Sequence, residues 1–68
     1  MSDPLVSGFT SELKKRLRTD MNNLADDLAS NTCKTIEDYR LVCGKIEGLM
    51  QAEQHLLTLA KTIEESDE

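Results

Sequence analysis

From Ile36 to Glu64 the chain contains no proline, and apolar residues recur along it in three seven-residue rows. Val42, Leu49, Leu56 and Ile63 form one row. Ile36, Cys43, Met50 and Leu57 form the second. Tyr39, Ile46, Glu53 and Ala60 form the third, broken by the charge of Glu53. This spacing predicts a long amphipathic helix with a stripe wider than one coiled-coil seam requires. Thr35 stands just before it, with Asp38 three residues on. That pattern resembles a capping box, whose closing residue is usually Glu or Gln. Glu37 and Asp38 also suit the positive end of a helix dipole. Helix 2 is therefore expected at about 36–64.

Leu13, Leu17, Met21, Leu24 and Leu28 recur at spacings of four and three. They mark one face of a second amphipathic helix, expected at about 11–30. Thr10 or Ser11 is the expected cap at its start, and Asn31 the expected left-handed stop. The polar stretch 31–34 is too short for anything but antiparallel neighbours. The expected fold is all-α, a two-helix antiparallel hairpin. Residues 1–10 hold the only proline, a glycine, and Leu5, Val6 and Phe9. They read as an extended N-terminal arm with apolar anchors. Residues 65–68 read as an acidic tail that frays, because acids oppose the dipole at a helix C-terminus.

A chain of 68 residues makes one domain at most. It buries about 60% of its unfolded surface, and such a core supplies roughly 3–5 kcal/mol. Small proteins of this kind lean on disulfides, metals or partners. The start of the chain has no basic n-region and no apolar h-region, so a reducing compartment is expected. Cys33 and Cys43 then read as a loop thiol and a small core residue. His55 is the only histidine and no Cys-x-x-Cys pair occurs, so neither a metal site nor a cofactor is expected. No apolar run approaches the ~20 residues of a bilayer span. The net charge of −5 argues against nonspecific binding to nucleic acid or anionic membranes. Partner chains remain, other proteins or a second copy.

Two features suggest where partners bind. Helix 1, as expected, spans roughly 30 Å and helix 2 roughly 43 Å. In an antiparallel pair Leu28 would sit near Tyr39 and Leu13 near Glu53. Helix 1 would then run out while Leu56, Leu57, Ala60 and Ile63 still need a cover, supplied by Leu5, Val6 and Phe9 of the arm or by another chain. The second feature is the back of helix 2. At 100° per residue Leu41, Gly44, Gly48, Ala52 and Leu59 fall roughly opposite Ile46. This back face is small and apolar where water alone would favour polar residues. Each glycine in a helix costs about 1 kcal/mol relative to alanine. Gly44 and Gly48, four residues apart, let another backbone come close, by analogy with packing of membrane helices.

Catalytic chemistry has little to stand on. No nucleophile or orienting acid pairs evidently with His55. No glycine-rich phosphate loop occurs, and a two-helix hairpin offers little room for a substrate pocket. No catalytic residue is assigned, and an enzyme is not expected. The cluster Lys14-Lys15-Arg16-Leu17-Arg18 could touch phosphates. Residues 36–68, however, carry eight acids against Arg40, Lys45 and Lys61, a net −5 for that half. Pairing of the cluster with acids of helix 2 is the simpler expectation.

The segment Asp38-Tyr39-Arg40-Leu41-Val42-Cys43-Gly44-Lys45-Ile46-Glu47-Gly48-Leu49 resembles a group of short proteins encoded among the virion structural genes of tailed bacteriophages. The resemblance covers about residues 35–65. It implies a structural or assembly role near the head or head–tail junction, in many copies, in the virion and beforehand in the bacterial cytoplasm. Tyr39, Arg40, Gly44, Gly48 and Leu49 are the packing positions it implies. Two other readings stay open. A hairpin of this size resembles plasmid copy-control proteins that dimerise into four-helix bundles and bind RNA loops. A small acidic inhibitor of a host protein is the third.

Overall fold

A computed structural model describes residues 4–30 and 32–66 as two helices, α1 at Pro4–Ala29 and α2 at Ile36–Ser66. No strand occurs among the described residues. The helices pack along one another as an antiparallel hairpin, 51 × 15 × 11 Å in extent.

The start of α2 follows from its cap. The Thr35 hydroxyl oxygen accepts a hydrogen bond from the Asp38 amide at 3.1 Å, and the Thr35 carbonyl accepts the first helical bond from the Tyr39 amide at 3.1 Å. Both are hallmarks of an N-cap residue. At the end of α1 the Ser30 amide reaches the Asp26 carbonyl at 2.9 Å, and the Thr32 amide reaches back five residues to the Asp27 carbonyl at 3.3 Å. These bonds satisfy carbonyls that a helix C-terminus leaves open. The expected stop at Asn31 lies outside the described residues.

The N-terminal arm requires correction. Residues from Pro4 onward belong to α1, which begins about seven residues earlier than its leucine spacing announced. Proline suits the first helical position, where its missing N–H would have no partner anyway. Thr10 does not cap this helix. It lies inside it, its hydroxyl donating to the Val6 carbonyl at 2.8 Å. Val6, Thr10, Leu13, Leu17, Met21, Leu24 and Leu28 are the positions of α1 that lose most exposure on the side facing α2. The apolar face thus continues through Thr10 to Val6.

The acidic end also differs from expectation. α2 continues through Glu64, Glu65 and Ser66, while Asp67 and Glu68 lie outside the described residues. An antiparallel hairpin puts this end beside the start of α1, whose first turn carries no acid. The positive end of one dipole there faces the acids of the other, which offsets their conflict with their own helix.

The seam of α2 is built by Val42, Ile46, Leu49, Glu53, Leu56 and Ala60, the first and third rows of the sequence pattern. The row Ile36, Met50, Leu57 stays exposed at its flank, Cys43 being half-buried. Arg18 of α1 reaches Glu53 of α2 through its long side chain. Because α1 begins at Pro4, it covers Leu56 and Ala60, which a shorter helix was expected to leave open, while Leu57 and Ile63 stay exposed.

The core is thin. Among the described residues Met21 is the only buried apolar side chain, and Glu53 the only buried charged one. A single layer between two cylinders cannot enclose more, since every seam residue has a solvent side.

Candidate interaction surface

Glu53 sits where an apolar residue would complete the third row. It is 7% exposed. Its Oε1 accepts a hydrogen bond from Arg18 Nη2 at 2.7 Å, while Oε2 is buried without a partner. Arg18 reaches it from α1 with its own side chain largely in water. A buried carboxylate is costly unless paired, so this contact fixes how the helices slide against each other.

The basic cluster is mostly spoken for. Arg18 holds Glu53, and Arg16 pairs with Glu12 of its own helix at 3.2 Å. Pairing with an acid of helix 2, as expected from the charge pattern, thus holds for Arg18. Lys14 and Lys15 remain exposed on α1. Two cations on a chain of net charge −5 give a weak phosphate footprint.

Two grooves flank the seam. The larger, about 820 Å³, runs past Arg18, Met21, Glu47, Met50, Glu53 and His55. No serine, threonine, cysteine or lysine lines it; its ionisable side chains are Arg18, Glu47, Glu53 and His55. Its buried carboxylate is engaged by Arg18. The second groove, about 490 Å³, lies on the other flank between Asp20, Asn23 and Leu24 of α1 and Lys45, Gly48 and Leu49 of α2. No group of three or more histidine, cysteine or acidic side chains able to hold a metal occurs among the described residues. Cys33 and Cys43 are free thiols, both half-buried. No helix among the described residues is long and apolar enough to cross a membrane.

The more extensive surface is apolar. On the Gly48 flank Leu41 is 59% exposed and Leu59 62%, with Ile63 at 40%. Gly44, Gly48 and Ala52 lie between them, all exposed. A Cβ placed on either glycine would meet nothing within 4 Å, so α1 does not use their small size. From α1, Phe9 and Leu5 turn to the same flank by helical spacing, both highly exposed. Tyr39 and Arg40 are exposed on the other side of α2. Val6 and Leu56, two further candidate partner residues, are half-buried in the seam and serve the hairpin itself. The sequence pattern did not single out Glu53 or Arg18 as a pair. The charged break in an apolar row was the available signal, and spacing alone does not connect it to Arg18.

No family model, curated protein or solved structure matches the chain.

Proposed function

We propose that this chain is a non-catalytic assembly subunit, a half-open helical hairpin completed by other protein chains. The carrying observation is its surface. It exposes 5449 Å², whereas a compact monomer of 7.6 kDa exposes about 4,300 Å². Its radius of gyration, 15.6 Å, likewise exceeds the roughly 11 Å of a compact domain of this length. Exposed large apolar side chains, among them Leu5, Phe9, Leu41, Met50 and Leu59, are part of that surface, the chemistry that marks interfaces.

In its finer form the reading is a structural or assembly component of a tailed-phage virion, at the head or head–tail junction. The chain would be synthesised in the bacterial cytoplasm and built into the particle in multiple copies. The resemblance of residues 38–49 supports this role. So does the general fit between a hairpin that leaves a helix face open and a repeated place on a symmetric assembly.

Mass spectrometry of purified particles tests it. The chain is expected at a stoichiometry of several copies per particle. A Leu41→Glu/Leu59→Glu variant is expected to stay helical by circular dichroism and to be lost from particles. Absence of the unaltered chain, in data that cover the other virion proteins well, contradicts the reading.

A further inference from the structure

The larger groove contains a polar atom that the hairpin leaves unanswered. The Glu53 side chain lines this groove and is only 9% exposed. Arg18 Nη2 donates to its Oε1, while Oε2 is buried without a hydrogen-bond donor. An ionised carboxylate can accept about four hydrogen bonds, and a buried oxygen that accepts none carries its full desolvation cost. A leucine at this position would complete the third apolar row without that cost, and a buried ion pair is often no more stabilising than apolar packing. The two helices alone therefore give no reason for the carboxylate.

The rest of the groove says what kind of donor fits. Met21 and Met50 give it apolar walls, with Glu47 and Gln54 beside them. Two acids stand there against one cation, Arg18, on a chain of net charge −5, which favours a cation over an anion. A bare metal ion lacks its ligands, since no three histidine, cysteine or acidic side chains converge among the described residues. A cationic head on an apolar stem matches both the methionines and the carboxylate. Arginine suits the position better than lysine. Its guanidinium is more weakly hydrated, and its planar fork reaches two acceptors at once. One incoming arginine also balances the site, with two arginines against Glu47 and Glu53. Because Oε2 is closed to water, the head must part the groove wall, and methionine is the unbranched, adaptable side chain that permits this.

We propose that the groove beside Glu53 receives an arginine side chain of a partner protein, its guanidinium donating to Oε2 and its stem lying against Met21 and Met50. The proposal rests on the assembly reading and gives the chemistry of one contact that the partner makes.

The test uses the full chain with carbon-13 in its methionine methyls and glutamate carboxyls, followed by NMR. The probe is N-acetyl-arginine methylamide, and N-acetyl-norleucine methylamide is the uncharged control. The Met21 and Met50 methyls and the Glu53 carboxyl are expected to shift together and saturably, at roughly millimolar probe. The control is expected to bind at least tenfold more weakly. Glu53→Gln keeps the shape and removes the charge. It is expected to stay helical by circular dichroism and to bind the arginine probe at least tenfold more weakly. The norleucine comparison needs only the unaltered chain, so it stands even if the variant unfolds. No saturable shift up to about 100 mM probe, an equal response to both probes, or unchanged binding by a folded Glu53→Gln overturns the proposal. So do shifts confined to the exposed carboxyls of Glu64 and Glu65, and so does tighter binding of putrescine, which would assign the groove to a free diamine. These results are separable from the particle experiment. A chain found in particles that ignores the arginine probe refutes only this site, and a chain that binds the probe but is absent from particles refutes only the virion role.

Discussion

Arg18 Nη2 and Glu53 Oε1 lie 2.7 Å apart across the hairpin, and this contact joins the one buried charge among the described residues to the opposite helix. Because the arginine is largely solvated, the pair adds less than a fully enclosed one would. Its larger effect is on register. Sliding α1 by one turn in the direction that puts Asn22 in the place of Arg18 would leave the carboxylate in the seam with no cation.

Arg18→Ala strands that carboxylate and is expected to cost about 1–3 kcal/mol. Glu53→Leu removes the charge and fills the third row, and is expected to be neutral or stabilising by about 1 kcal/mol. Adding Arg18→Ala to Glu53→Leu should then cost almost nothing. Urea unfolding of the four proteins at one fixed concentration closes the double-mutant cycle. A full Arg18→Ala penalty in the Glu53→Leu background would show that the contact does not act as a pair.

Much of this fold was legible in the sequence, for a physical reason. Three- and four-residue spacing reports which face of a helix is buried, and both helices carry it. The cap at Thr35 was legible too, since it depends on residues four apart at most. Where α1 begins was not legible from its leucines. Pro4 and Gly8 read as breakers of regular structure, although proline at a first helical position and glycine on an exposed turn are both tolerated. The Arg18–Glu53 pair was the other loss, because a long side chain reaches along the partner helix and spacing alone does not say which acid it meets. The Gly48 flank was visible as a small apolar stripe, but periodicity alone does not say what covers it.

Gly8 tests the corrected start of α1. It is helical and a Cβ there meets nothing within 4 Å. Gly8→Ala is therefore expected to stabilise the chain by about 0.5–1 kcal/mol and to raise its helical circular dichroism. No change in helicity would return residues 4–10 to the status of an arm.

Thr35→Ala removes the hydroxyl that accepts from the Asp38 amide. A loss of about 1 kcal/mol is expected, with Thr35→Asp restoring most of it. Equal stability of all three in urea would mean that the cap is not formed in solution.

Gly44 and Gly48 separate helix propensity from close approach. Replacing both by leucine favours the isolated helix by roughly 1–2 kcal/mol, so helicity is expected to rise. Bulk at these positions is expected to weaken binding of whatever chain covers this face at least tenfold, read by sedimentation. Unchanged association of the double variant would mean that no backbone approaches closely there.

Sedimentation equilibrium of the unaltered chain across a hundredfold range of concentration, with circular dichroism on the same samples, tests most directly the claim that another chain must complete this hairpin. The expected result is an oligomer whose helicity falls as it dissociates on dilution, because the excess surface is then returned to water. A monomer that keeps full helicity and cooperative unfolding at every concentration would contradict the claim.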